Sequence, residues 1–395
     1  MAPIGVGIIG LSADQSAWAT SAHSAPLKSS PLNEKFKLVA VSTSSPETAK
    51  KAAEAQGISA DKAYSNPQAI ADDKDVDLVV VSVKTVHEGN EQSKLTSNPQ
   101  TPYHKQLALP ALHAKKSVFV EWPLGNGLQE AEELAALAKK QGVKTAVGLQ
   151  ARLLPSVQKA KSIIDSGTLG RIIGTTLISS SSLLVNFPVK NSYLNDPKSG
   201  ANLVTIPTIH ALDPVLYLLG EFKSFNATTA TTFPELRFVQ ADGSKGEPVK
   251  STIADSISIH GVLESGATIS FVSSSTTEAT PGHFEWIISG EKGSLKFESP
   301  GQFIAMAPHT LSRFAPAGEK GSGEEDENLY AKLSGGGGKW EEVEFEKGPF
   351  GGIGEVYEAF AEGNKDMVDF DEAVKRHKLV EAIFRSAKDG TREEY

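Results

Sequence analysis

Five short apolar, β-branched runs recur between Ile4 and Gln150: "IGVGIIG", "KLVAVST", "DLVVVSV", "SVFVEW" and "KTAVGLQ". Several have an unbroken apolar stretch, the pattern of strands covered on both faces. Between them, "SPETAKKAAEAQG" opens on a capped Ser45-Pro46-Glu47 turn, and "LQEAEELAALAKKQG" is rich in helix formers and stops at Gly142. Strand and helix in alternation predict a doubly wound parallel sheet with crossover helices over residues 1–149.

After Arg152 the apolar period changes to two, in "RIIGTTLISSSSLL", "DSISIHGVLESGATISFVSSS" and "HFEWIISGEKGSLKFES", with "ESGATI" and "GEKGSL" as hairpin turns. Residues 150–395 are therefore expected to form a second α/β domain around a large, mostly antiparallel open sheet. An apolar open face is commonly buried between copies, so a homodimer through this sheet is expected. The Gly- and Glu-rich stretch "PAGEKGSGEEDENLYAKLSGGGGKW" predicts a surface loop, and the amphipathic helix at 371–389 is expected to pack back on the first domain.

The length of 395 residues fits two domains, and the formal net charge of −9 argues against direct nucleic-acid binding, which needs clustered Lys and Arg. Cys is absent, which removes disulfides and thiolate chemistry and fits a cytoplasmic protein. No apolar run reaches the roughly 18 residues of a membrane span. "MAPIGVGIIG" lacks the basic region and cleavage site of a signal peptide and reads as a first strand.

"GVGIIGLSADQSAWATSAH" follows a strand and precedes a helix, the setting in which a Gly-rich turn holds a pyrophosphate on backbone N–H groups. The match to G-x-G-x-x-G is imperfect: counting from Gly10, Ser12 and Gln15 stand where the second and third glycines belong. Gly10, Leu11 and Ser12 are the candidate cofactor residues here, with Val83 at the end of the third run; a turn that binds nothing is the competing reading. The second run ends in Thr43, Ser44 and Ser45 without the carboxylate that would hold a ribose 2′-hydroxyl. Those hydroxyls favour NADP over NAD, unless they only cap the next helix.

Several stretches, "VGIIGL", "DVDLVVVSV", "HKQLALPALHAKKSVFVEWPL", "GLQARLLPSVQKAKSIIDSGTLGRI", "TIHALDPVLYLLGEF", "ISGEKGSLKFES" and "VKRHKLVEAIFRSAKDGTR", resemble in order the glucose-fructose oxidoreductase and inositol dehydrogenase family (Gfo/Idh/MocA). The resemblance implies a Rossmann domain, an NAD(P) cofactor, a small-molecule substrate between the domains, and dimers through the open sheet. It also implies Glu-Lys-Pro where this chain has Glu121, Trp122 and Pro123, and an Asp four residues before His210, where Ile206 stands. An indole cannot exchange a proton near neutral pH. Two of the three polar groups implied for acid/base work are thus apolar. The "EW" variant, the Trp of "SAWATSAH" and "LVTIPTIHALD" resemble a fungal subset, the galactose-regulon-repressor-like proteins, which implies dinucleotide binding and regulation by protein contact.

Single residues carry paired readings. Trp122 stacks on nicotinamide or substrate, or plugs a vestigial pocket; a cis bond to Pro123 is expected. Glu121 orients the cofactor or the turn. His210 is a general acid facing substrate or a core histidine, and Asp213 is its partner or a surface carboxylate. Lys198 and Tyr193, with Asp196, are candidate replacement proton donors. His87 and His104 compete for the family's His after the third strand, and "YHKQLALPAL" favours His104 as a cofactor contact; the loop between them reads as a lid or a partner surface. Arg152 meets an acidic substrate or makes an interdomain ion pair. No metal-ligand spacing, nucleophile elbow or P-loop is present. The leading expectation is an NAD(P)-dependent oxidoreductase acting on a small organic molecule that needs little acid assistance. The alternatives are a catalytically silent dinucleotide-binding regulator and a non-redox enzyme reusing the pocket.

Overall fold

The structure, a computed structural model, describes residues 2–83, 102–182, 185, 192, 194–240, 242–277, 279–280, 282–315, 338–348 and 351–395. The expectations placed on His87, on the loop before residue 102, on Tyr193 and on the Gly/Glu-rich segment after 315 lie outside the described residues, as does the side chain of Lys198.

The apolar runs form a parallel sheet of β1 (Ile4–Ile9), β2 (Phe36–Ser42), β3 (Ala63–Tyr64), β4 (Leu78–Val81), β5 (Ser117–Val120) and β6 (Thr145–Val147), in the order β3-β2-β1-β4-β5-β6. Both faces are covered: Val79, Val81, Val118 and Val120 join one apolar core, and Leu78, Val80 and Phe119 join another. The chain runs outward from β1 in one direction and from β4 in the other, which opens a crevice at their carboxyl ends. Connecting helices are set by local signals. In α1 (Pro46–Gln56) Ser45 accepts the Thr48 N–H at 3.2 Å, Pro46 opens the first turn, and Gly57 closes the helix at φ 72°. The others here are α2 (Pro67–Asp72), α3 (Pro102–His113) and α4 (Leu128–Gln141).

After α5 (Pro155–Asp165), the second sheet comprises β7 (Ile172–Ser181), β8 (Phe222–Ala230), β11 (Ser256–Leu263), β12 (Thr268–Ser275), β13 (His283–Gly290), β14 (Ser294–Ser299), β15 (Thr310–Ala315) and β16 (Lys339–Glu342). Its order is β16-β15-β14-β13-β7-β12-β11-β8, antiparallel except for the β7/β12 pair, while β9 (Glu235–Val239) and β10 (Lys245–Lys250) form a separate hairpin. One face holds Leu177, Phe271, Trp286 and Phe297 in the core; the other presents Ile178 and Val272, paired across the ladder and 42% and 37% exposed. Helix α6 (Ile209–Leu219) follows a π-helical segment, Val204–Thr208.

The last two helices both return to the first sheet. Helix α7 (Ile353–Glu362) adds Val356, Tyr357 and Phe360 to the core containing Val6 and Phe119, a placement the sequence pattern does not reveal. Helix α8 (Phe370–Asp389) packs against α4, α6 and β8, and the chain just before it meets β6 through Val147 N–H to the Val368 carbonyl at 2.8 Å.

A buried charge network fastens α8. Asp213 on α6 accepts the Arg152 guanidinium twice, at 2.9 and 2.5 Å, and Arg376 Nε at 2.9 Å. Arg376 in turn donates twice to Glu221 at 2.9 Å. Arg152, Asp213 and Arg376 are at most 5% exposed. Burial alone would push the Asp213 carboxyl up, but the two guanidiniums hold it below its ordinary value. A carboxyl lowered in the folded state adds stability that is complete above the ordinary carboxylate range and fades as pH falls through the lowered value. Removing it leaves buried Arg152 without its carboxylate and Arg376 with Glu221 alone, so Asp213→Ala is expected to cost about 3–5 kcal/mol in chemical denaturation. An undiminished denaturation midpoint would contradict that role.

Candidate functional site

The crevice between β1 and β4 is shaped by close backbone approach. Gly10 has φ +97°, and a Cβ on it would sit 2.2 Å from the Ser82 carbonyl oxygen and 2.9 Å from Val83 Cα, so Gly10, Ser82 and Val83 meet at the switch in strand order. A side chain at position 10 would strike this backbone, so glycine is what lets the end of β1 lie against the end of β4 where a dinucleotide fold opens its crevice. Leu11, by contrast, is 1% exposed and points into the core. Ser12 is half-buried and bonds within its own turn: its Oγ accepts the Asp14 N–H at 3.1 Å and its carbonyl accepts Thr20 Oγ1 at 3.0 Å. Helix formation after this turn begins as a π-helix, Ala19–Ser24.

At the end of β2 the hydroxyls are committed to capping α1. Thr43 Oγ1 donates to the Ser45 carbonyl at 3.0 Å and lies 2.6 Å from Thr48 Oγ1, and Ser45 is the cap itself. The Thr43 and Ser45 hydroxyls thus serve the helix cap, and the expectation of NADP in preference to NAD is left without support; Ser44 stands between them.

Beyond β5 lie Glu121, Trp122 and Pro123, with the Trp122–Pro123 bond cis. Glu121 Oε1 accepts Trp18 Nε1 at 2.5 Å and bonds His23 Nε2 at 2.6 Å. His23 Nδ1 lies 2.9 Å from the Tyr357 hydroxyl, whose burial pushes the phenol well above its usual range and keeps it a donor. Burial would raise the Glu121 carboxyl, but His23, by hydrogen bond and by charge, and then the Trp18 hydrogen bond outweigh it and hold it below the ordinary value. The side chain is 16% exposed, and Oε2 rests over Gly148, where any Cβ would lie 2.2 Å away. Gly351 packs in turn under the Trp18 ring, and Gly352 under Gln150.

Trp122 is committed elsewhere. It is 5% exposed, donates Nε1 to the Thr205 carbonyl at 2.5 Å, and packs on His377 with ring centroids 4.6 Å apart. The indole anchors the strand end to the π-helical Val204–Thr208 segment and to α8. Trp122, Pro123, Thr205 and His377 also line a cavity of about 260 Å³. His104 lies behind the turn, its Nδ1 2.7 Å from the Pro123 carbonyl, with burial lowering its basicity.

His210 stacks on Phe303 at 5.1 Å, and its buried Nδ1 has no partner among the described residues. Burial brings its pKa down to about 4 despite Glu121 and Asp213, so the ring is neutral near pH 7. Asp213 does not orient this imidazole, because it is held by Arg152 and Arg376. Arg152 is likewise corrected as a substrate contact: its fork is closed on Asp213. Gln150, 1% exposed with an unpartnered Oε1, borders the same region and carries no recognisable motif. Trp18, His23 and Tyr357 escaped sequence reasoning as site residues; the Trp in "SAWATSAH" was the available signal.

Among the described residues no helix is long and apolar enough to cross a membrane. Residues 4–149 match the family described as "Oxidoreductase family, NAD-binding Rossmann fold", and residues 155–299 match the C-terminal domain of Gal80p. The chain is 37% identical to the dehydrogenase aclE of Aspergillus oryzae over 389 residues, covering 98% of this chain and 97% of that protein. It is 26% identical over 319 residues to the galactose/lactose metabolism regulatory protein GAL80 of Saccharomyces cerevisiae, covering 78% and 69% of the two chains. In fold it is similar to a super-repressor mutant of Saccharomyces cerevisiae Gal80p (TM-score 0.80, 22% identity, 100% and 98% covered) and to levoglucosan dehydrogenase in complex with NADH and L-sorbose (TM-score 0.75, 20% identity, 100% and 99% covered). Similarity along almost the whole of a dehydrogenase, joined to the NAD-binding match on the first sheet, makes this chain a member of the Gfo/Idh/MocA oxidoreductase family.

Proposed function

We propose that the chain is an NAD(P)-dependent oxidoreductase that acts on a small organic molecule at the carboxyl ends of β1, β4 and β5, without the family's Lys and Asp. The observation that carries this reading is the switch in strand order between β1 and β4, where Gly10, at positive φ, lets the two strand ends close on each other and the chain turn toward the next helix. When bound, the dinucleotide supplies hydride transfer. The residues around it do the rest: Gly10 admits the phosphates, Glu121 presents a fixed carboxylate, and His210 lends a neutral imidazole. Purified protein is expected to bind NAD(H) or NADP(H) at micromolar levels in calorimetry; no heat with either dinucleotide would reject the reading.

A catalytically silent, Gal80-like regulator is favoured by one observation, the commitment of Trp122 to Thr205 and His377 in place of a proton-transferring side chain. Turnover separates the two readings. Trp122→Lys alone loses the indole's bond and buries an ammonium lacking its carboxylate, so it is expected to unfold at lower temperature and gain no polyol dehydrogenation. Adding Ile206→Asp is expected to recover part of the thermal midpoint. Vigorous polyol oxidation by the single variant would show that the paired loss does not matter.

The exposed pair Ile178 and Val272 supports a homodimer through the open sheet face. Sedimentation is expected to give a dimer for the native chain and a monomer for Ile178→Glu/Val272→Glu; equal masses would refute this interface.

A further inference from the structure

Resting on the dinucleotide reading above, we infer that the substrate is a cation, an iminium ion, reduced by hydride without any proton from the protein. The charges at the site point this way. The guanidiniums of Arg152 and Arg376 are closed on Asp213 and Glu221, which leaves neither to meet an anion. Glu121 is different. Its neighbours Trp18 and His23 both act on Oε1, and Oε2 takes no hydrogen bond among the described residues although the side chain is 16% exposed. Among the described residues the titratable groups facing it are His23, which bonds both Glu121 and the Tyr357 hydroxyl, His210, neutral near pH 7, and the buried His104. A carboxylate that keeps one oxygen without a hydrogen-bond partner among the described residues favours a positive ligand.

The reaction conserves that charge. The iminium carbon accepts a hydride from the reduced dinucleotide, a C–H bond forms, the C=N π pair becomes the nitrogen lone pair, and the product is a neutral amine. The single positive charge passes from the substrate nitrogen to the oxidised nicotinamide, both of which a carboxylate at this strand end can balance. A ketone would instead develop an alkoxide beside Glu121. Position 122 offers no acid there, because its N–H is spent on Thr205, and His210 is not an imidazolium at neutral pH.

The test pairs N-methyl-3,4-dihydroisoquinolinium with 1-tetralone, its neutral ketone counterpart, using the native protein with saturating NADH or NADPH and correcting for uncatalysed reduction. The iminium is expected to be reduced with kcat/KM at least about 100-fold above the ketone. Its rate is expected to be flat between about pH 6 and 9. A second readout needs no turnover: binding of the non-reducible N,N-dimethyl-1,2,3,4-tetrahydroisoquinolinium is expected to weaken about tenfold in Glu121→Gln, with tetralone binding unchanged. Equal reduction of the ketone, a rate falling as pH rises, no iminium reduction by protein that binds dinucleotide, or cation binding indifferent to Glu121→Gln in a folded variant would each overturn this inference alone. Absence of dinucleotide binding would overturn the underlying reading as well.

Discussion

Three consecutive residues at the end of β5 are each tied to a different part of the molecule, and the geometry of the crevice follows from those ties. Glu121 is held by Trp18 and His23 from the segment after β1, Trp122 by Thr205 and His377 from the second half of the chain, and the Pro123 carbonyl by His104 on α3. The strand end cannot move toward any one partner without lengthening a bond to another. A carboxylate fixed in this way needs no reorganisation when charge develops beside it, which is the condition for electrostatic preorganisation.

How much of this was legible depended on the period of the local structure. The first sheet was readable because its strands are apolar on both faces, and the second because its pattern alternates. Gly10 could be singled out because strand, turn and helix follow one another in the sequence. Trp18 and His23 could not be placed together, because residues five apart lie roughly 140° apart around an α-helix. The π-helical Ala19–Ser24 segment winds more loosely and lets both reach Glu121 Oε1. Tyr357 was hidden for another reason: α7 returns across more than 300 positions of sequence to reach His23, 334 residues away, and no local pattern encodes such a contact.

Charge was legible as composition but not as arrangement. Arg152 and Asp213 each read equally well as site residue or structural partner until α8 supplied Arg376, and the resulting network shows why a guanidinium at the junction of the two sheets is unavailable to a ligand. The same hydroxyls that read as phosphate donors, Thr43 and Ser45, are consumed by the first turn of α1. In both cases a local structural demand had first claim on the polar group, as expected where an unpaired buried donor or charge is costly.

The two apolar replacements are best understood as one change. Trp122 donates to the carbonyl of Thr205, the residue before Ile206 in the chain. A Lys at one and an Asp at the other would be a buried pair, and losing either partner alone strands the remaining charge at about 3–5 kcal/mol. Replacing both by apolar side chains is close to neutral, provided the backbone acceptor left behind is satisfied. The indole N–H meets that condition at Thr205, and the ring is packed against His377, whose own basicity burial lowers to about 4. The indole is therefore held at the strand end by partners quite separate from those of Glu121, and the two side chains keep their places independently.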